Sequence, residues 1–104
     1  MRFFRTAEGR EPVREWLKAL PDEDRKIIGG EIRTVQFGWP IGMPLVRKME
    51  EGLWEARVDL PNRIARVLFT ISEGQAVLLH GFIKKSPKTP APDLATARRR
   101  KVQL

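Results

Sequence analysis

Apolar positions recur along the chain with two different periods, and the change of period divides it into a helical first half and a stranded second half. Val13, Trp16, Leu17 and Leu20 are spaced i, i+3, i+4, i+7, which is one face of a helix opened by Glu11-Pro12. Proline suits a first helical turn because its missing N–H would have had no partner there. Pro21 ends this helix and begins a second. Asp22, Glu23 and Asp24 fall near the positive end of the new helix dipole, and Ile28, Ile32 and Val35 repeat at i, i+4, i+7 until Gly38. The short connection makes the pair a hairpin. Gly29-Gly30 sits inside the second helix, where each glycine weakens it by about 1 kcal/mol relative to alanine. The pair predicts either a close approach to a neighbouring element or a break.

Around this hairpin the pattern is that of strands. Residues 2–6 predict a first strand and residues 45–50 a short one, after a loop at 39–44 rich in proline and glycine. Three main strands follow at 53–59, 63–71 and 75–84, separated by the turn signals Pro61-Asn62 and Glu73-Gly74. Pro92-Asp93 then predicts a short C-terminal helix, or a basic tail, through Val102. The expected fold class is α+β, with a helix hairpin packed on a twisted antiparallel sheet of about four strands. Residues 1–104 form one domain.

Side chains alternate across a strand, so the sequence tests its own register. A two-residue turn at Glu73-Gly74 pairs Phe69 with Leu78 and Val67 with His80. A four-residue loop from Leu60 to Arg63 pairs Asp59 with Ile64 and Arg57 with Arg66. One face then holds Trp54, Ala56, Val58, Ala65, Val67, Phe69, Leu78, His80 and Phe82, almost wholly apolar, where the hairpin is expected to pack. The other holds Glu55, Arg57, Asp59, Arg66, Thr70 and Lys85, with Leu68, Leu79 and Ile83. That second face is cationic, yet too apolar to be bare. Two arginines opposite each other on neighbouring strands destabilise a sheet unless an anion neutralises them. Glu55 and Asp59 are the local candidates; a phosphate, which fits the guanidinium fork, is the functional alternative.

Composition sharpens that choice. The 104 residues carry a net charge of +7 and a pI near 10.6, which points to a polyanionic partner. There is no cysteine, so disulfides and thiolate metal sites are excluded. No apolar run approaches a membrane span, and MRFFRTAEG lacks the apolar core of a signal peptide, so a cytoplasmic protein without membrane contact is expected. Neither a metal-ligand cluster nor a Gly-rich phosphate loop is evident, and no cofactor is expected.

Specific residue runs add a resemblance. Pro44-Leu45-Val46-Arg47-Lys48, Leu53-Trp54-Glu55-Ala56-Arg57, Arg66-Val67-Leu68-Phe69 and above all LLHGFIKKSPKTP from Leu78 to Pro90 resemble the RelE/ParE superfamily of type II toxin–antitoxin toxins, in its HigB-like, phage-derived branch. The resemblance spans nearly the whole chain. It implies a RelE-like fold and a ribosome-dependent mRNA endonuclease that cuts through the 2′-OH without metal and so inhibits translation. The implied partners are a helix-turn-helix antitoxin (HigA-like), the ribosome and mRNA, with operator DNA reached only through the antitoxin. ParE-like relatives on the same fold inhibit DNA gyrase without cleaving, and a basic domain of this size also suits a non-catalytic nucleic-acid-binding module.

For cleavage the expected catalytic residues are Arg66 and Arg57 as charge stabilisers, Lys84 and Lys85 as charge stabilisers or proton exchangers, and Glu55 as base. Lys48, Arg63, Lys88, Arg98 and Arg99 are the expected RNA contacts, positioning rather than specifying. The chain has no tyrosine, so the C-terminal tyrosine of several RelE nucleases has no counterpart. His80 is expected on the core face, bonded to backbone. Trp54 is expected in the core, while Trp39 is either a base-stacking platform or a loop anchor.

Overall fold

The computed structural model describes residues 1–38 and 46–104. In chain order the elements are β1 (Arg2–Phe3), α1 (Pro12–Lys18), α2 (Asp22–Gly38), β2 (Val46–Glu50), β3 (Leu53–Leu60), β4 (Arg63–Ser72), β5 (Gln75–Ile83) and α3 (Ala91–Val102). The α+β class is as expected. The sheet has five strands rather than four, in the order β1-β5-β4-β3-β2, and it is mixed because β1 runs parallel to β5. The predicted loop at 39–44, with Trp39, lies outside the described residues.

The hairpin packs on one face of the sheet. Val13 and Leu17 of α1 and Ile28, Ile32 and Val35 of α2 bury against Ala56, Val58, Ala65, Val67, Phe69 and Leu78. Trp54 stacks on Phe69 with ring centroids 6.2 Å apart, at the edge of this core. Helix α2 runs unbroken through Gly29-Gly30, and a β-carbon at either position would meet nothing within 4 Å. Neither expectation for the pair holds. The helix tolerates it because its apolar face, carried by Ile28 and Ile32, is fully buried on either side.

The β3–β4 register is the expected one, with Arg57 opposite Arg66 and Asp59 opposite Ile64, although Leu60 and Arg63 also pair and leave a two-residue turn. Asn62 takes the left-handed conformation there. The β4–β5 register starts as expected, with Phe69 opposite Leu78, and then shifts. Leu68 pairs with His80 and Val67 with Gly81, so Leu79 is an extra residue in β5. This bulge reverses the faces beyond it. His80 and Phe82 leave the hairpin face, while Gly81 and Ile83 join it.

Helix α3 covers much of the opposite face. A second core forms there from Phe4, Leu53, Leu68, Val77, Leu79 and Ala97, flanked by Met49, Phe82 and Leu94. Leu68 and Leu79, apolar residues on the cationic face, are thereby accounted for, while Ile83 packs on the hairpin side. No described helix is long and apolar enough to cross a membrane.

Candidate functional site

The part of the sheet face that α3 leaves uncovered begins with Glu55 and Arg66. Both are almost fully buried, at 4% and 6% exposure. Glu55 accepts a hydrogen bond from the Thr89 hydroxyl on one oxygen. Its other oxygen lies 3.4 Å from Arg47 Nη2 and 3.6 Å from Arg66 Nη1. The Thr89 Oγ1 also accepts from Arg66 Nη1 at 3.4 Å and from Arg47 Nη2 at 3.5 Å. Arg66 Nη2 donates to the Pro87 carbonyl at 3.1 Å, and its Nε is buried without a hydrogen-bond partner. Residues 86–90, in the link from β5 to α3, thus lie across Arg66 and Arg47 as a strap. The like-charge pair is resolved locally: Glu55 neutralises Arg66, and Asp59 sits 3.4 Å from the exposed Arg57.

Beyond the strap a cleft of about 640 Å³ opens between the β3–β4 turn and the end of β5. Asp59, Asn62 and Arg63 line one side, Lys84, Lys85 and Pro87 the other, and Leu60 and Ile64 contribute apolar surface. The Lys84 amide bonds the Ile64 carbonyl at 2.7 Å, which extends the pairing one residue past β5 and fixes where the lysines emerge.

The expected site residues divide by what holds them. Lys48 pairs with Glu51 at 2.6 Å, and that hydrogen bond, ahead of the lysine's charge, holds the Glu51 carboxyl below its ordinary range. Arg63 binds the buried Asp24 of α2, and Arg98 binds Glu50 at 2.5 Å. Among the described residues, Lys84, Lys85, Lys88 and Arg99 have no ion-pair partner, and of these only the first two line the cleft. Arg57, Arg66 and Glu55 share one sheet face; Lys48 and Arg98 lie toward the β2–β3 turn, away from the cleft.

The basic run of α3 is largely engaged in docking that helix. Arg100 donates to the Leu79 carbonyl at 2.7 Å and lies over the Phe4 ring, and burial, followed by the charge of Arg99, pulls its pKa down. Lys101 donates to the Glu51 carbonyl at 2.8 Å. His80 is bonded to a side chain rather than to backbone, contrary to expectation. Its Nε2 is 2.6 Å from Asp93 Oδ1, and its ring stacks on Phe82 at 5.7 Å. Sequence reasoning missed Thr89 and Arg47, which complete the buried cluster. Thr89 lies in the run LLHGFIKKSPKTP and Arg47 in the short strand VRKME, but no local signal says that residues so far apart in sequence share one carboxylate.

A helix hairpin on one face of the sheet and a C-terminal helix on the other are compatible with a RelE-like toxin fold. The model of a family described as Phage derived protein Gp49-like (DUF891) matches residues 15–102, which is every element but β1 and the start of α1. The chain belongs to that family, which is toxin-like and of the RelE/HigB type in general. No match is found among curated proteins.

Proposed function

We propose that this protein is the toxin of a type II toxin–antitoxin system and acts in the cytoplasm as a ribosome-dependent mRNA endonuclease, held in check by a helix-turn-helix antitoxin. The observation that carries this reading is the pair Lys84 and Lys85. They are cations without ion-pair partners among the described residues, and they face a cleft able to take a segment of RNA. A concave surface with uncompensated charge focuses potential on an anionic ligand. In the reaction the 2′-oxygen attacks the adjacent phosphorus as its proton passes to a base. The bond from phosphorus to the 5′-oxygen breaks, the departing oxygen takes up a proton, and a 2′,3′-cyclic phosphate and a 5′-hydroxyl result. Lys84 and Lys85 supply the positive charge that the phosphorane requires.

Induced expression with RNA 5′-end mapping tests the proposal. Wild type is expected to arrest growth and produce breaks within codons of translated mRNA. Lys84→Ala combined with Lys85→Ala is expected to restore growth and reduce those breaks about a hundredfold, the lower end of the loss typical of one removed charge-stabilising group. Arg66→Ala is the poorer probe, because it strips one of the two guanidinium groups from the buried Glu55 and the strap's bond to the Pro87 carbonyl, and so perturbs the fold along with the site. Growth arrest with intact mRNA and blocked DNA supercoiling would replace this reading with the non-cleaving, ParE-like one. Two observations favour that second reading: the absence of tyrosine, and the internal engagement of Arg66.

A further inference from the structure

The strap at 86–90 raises a question that the cleft alone does not. Every polar atom of the Arg66 guanidinium is either bonded to the strap, paired with Glu55, or buried. Arg47 reaches the same carboxylate from the far side, at 3.4 Å. Two guanidinium groups converging on one oxyanion is the arrangement that binds phosphate. Here the oxyanion is the chain's own carboxylate, and Thr89 donates the further hydrogen bond that holds it in place.

We propose that the 86–90 strap is a latch over a second anion site, formed by Arg47 and Arg66 and occupied in the closed state by Glu55, which a phosphodiester displaces when the strap lifts. The inference rests on the cleft reading above and deepens it. Pro87 belongs to both structures: it lines the cleft beside Lys85, and its carbonyl holds Arg66. A ligand on Lys84 and Lys85 therefore presses on the residue that keeps Arg66 covered. The strap is suited to moving. It has no helix or strand of its own, it makes an internal bond from Ser86 Oγ to the Lys88 carbonyl at 2.9 Å, and its attachment to the sheet runs through Thr89 and the Pro87 carbonyl. The missing partner of Arg66 Nε fits a donor that is fully used only in the open state.

Ligand affinity is reduced by the fraction of molecules that are open, so weakening the latch tightens binding. The probe is a fluorescein-labelled hexaribonucleotide with 2′-O-methyl riboses, which binds but is not cut, titrated against the purified protein. Thr89→Val keeps the shape and removes the hydroxyl, and is expected to tighten binding about fivefold, the effect of one hydrogen bond lost from the closed state. Thr89→Ser restores the wild-type value. Glu55→Gln, which keeps an acceptor but removes the competing charge, tightens binding at least as much. Thermal unfolding of each variant separates these gains from damage to the fold. If Lys84→Ala with Lys85→Ala weakens binding while Thr89→Val and Glu55→Gln leave it unchanged or weaker, the latch is wrong and the cleft stands. If no variant binds the probe, both are wrong.

Discussion

A β-carbon at Gly81 would lie 2.4 Å from the Trp16 ring, closer than packed atoms come. Glycine at this position lets α1 lie flat on β5, and it reaches the hairpin face because of the bulge at Leu79. Gly81→Ala is therefore expected to destabilise the protein by about 1–3 kcal/mol, the usual cost of overpacking a rigid neighbour. Gly30→Ala, at an open helical position, is expected to stabilise by about 1 kcal/mol. Chemical denaturation of the two variants checks the contrast, and equal effects would refute this account of the Trp16 contact. The two glycines look alike in the sequence. What separates them is a ring belonging to another element, which no local pattern records.

At the scale of elements, α3 is held at both ends. Asp93 near its start binds His80, and Arg98, Arg100 and Lys101 near its end reach Glu50, the Leu79 carbonyl and the Glu51 carbonyl. Asp93 also lies in the first turn, where a negative charge complements the helix dipole. Asp93→Ala is expected to cost about 1–2 kcal/mol, from the lost bond and the lost dipole contact together. Amide exchange should rise in α3 before it rises in β4, and uniform loss of protection would argue against a separately docked helix. The helices and main strands were legible because each has a period and a terminator: prolines for the hairpin, Asn62 and Glu73-Gly74 for the turns. The presence of a cover over the second face was legible too, from Leu68 and Leu79 among charges. The bulge was not. Residues 76–79 read Ala-Val-Leu-Leu, and a run apolar throughout carries no parity. The one trace was a histidine assigned to an apolar face, and the shift at Leu79 removes that misfit by turning His80 toward Asp93. The basic run of α3 was misleading for a related reason: Glu50 lies 48 residues from Arg98, and a charge partner at that distance is invisible in sequence.

For the whole molecule, the net charge of +7 does not act as a uniform field. Many of the cations are matched by nearby carboxylates, and such pairs present little net charge to a ligand. Binding of single-stranded RNA should therefore depend on a few unmatched lysines rather than on the total. Each phosphate neutralised on a single strand contributes about 0.7 to the slope of log affinity against log salt. Replacing Lys84 and Lys85 together by alanine is expected to flatten that slope by about 1.4 and to weaken binding most at low salt. Arg98→Ala changes the net charge by half as much, but it removes a group already bound to Glu50, and its slope is expected to stay within about 0.3 of wild type. Titrations of one oligonucleotide across a salt series separate the two cases. If Arg98→Ala flattens the slope as much per charge as the lysine pair does, RNA senses the charge of the whole domain, and the cleft has no privileged place on its surface.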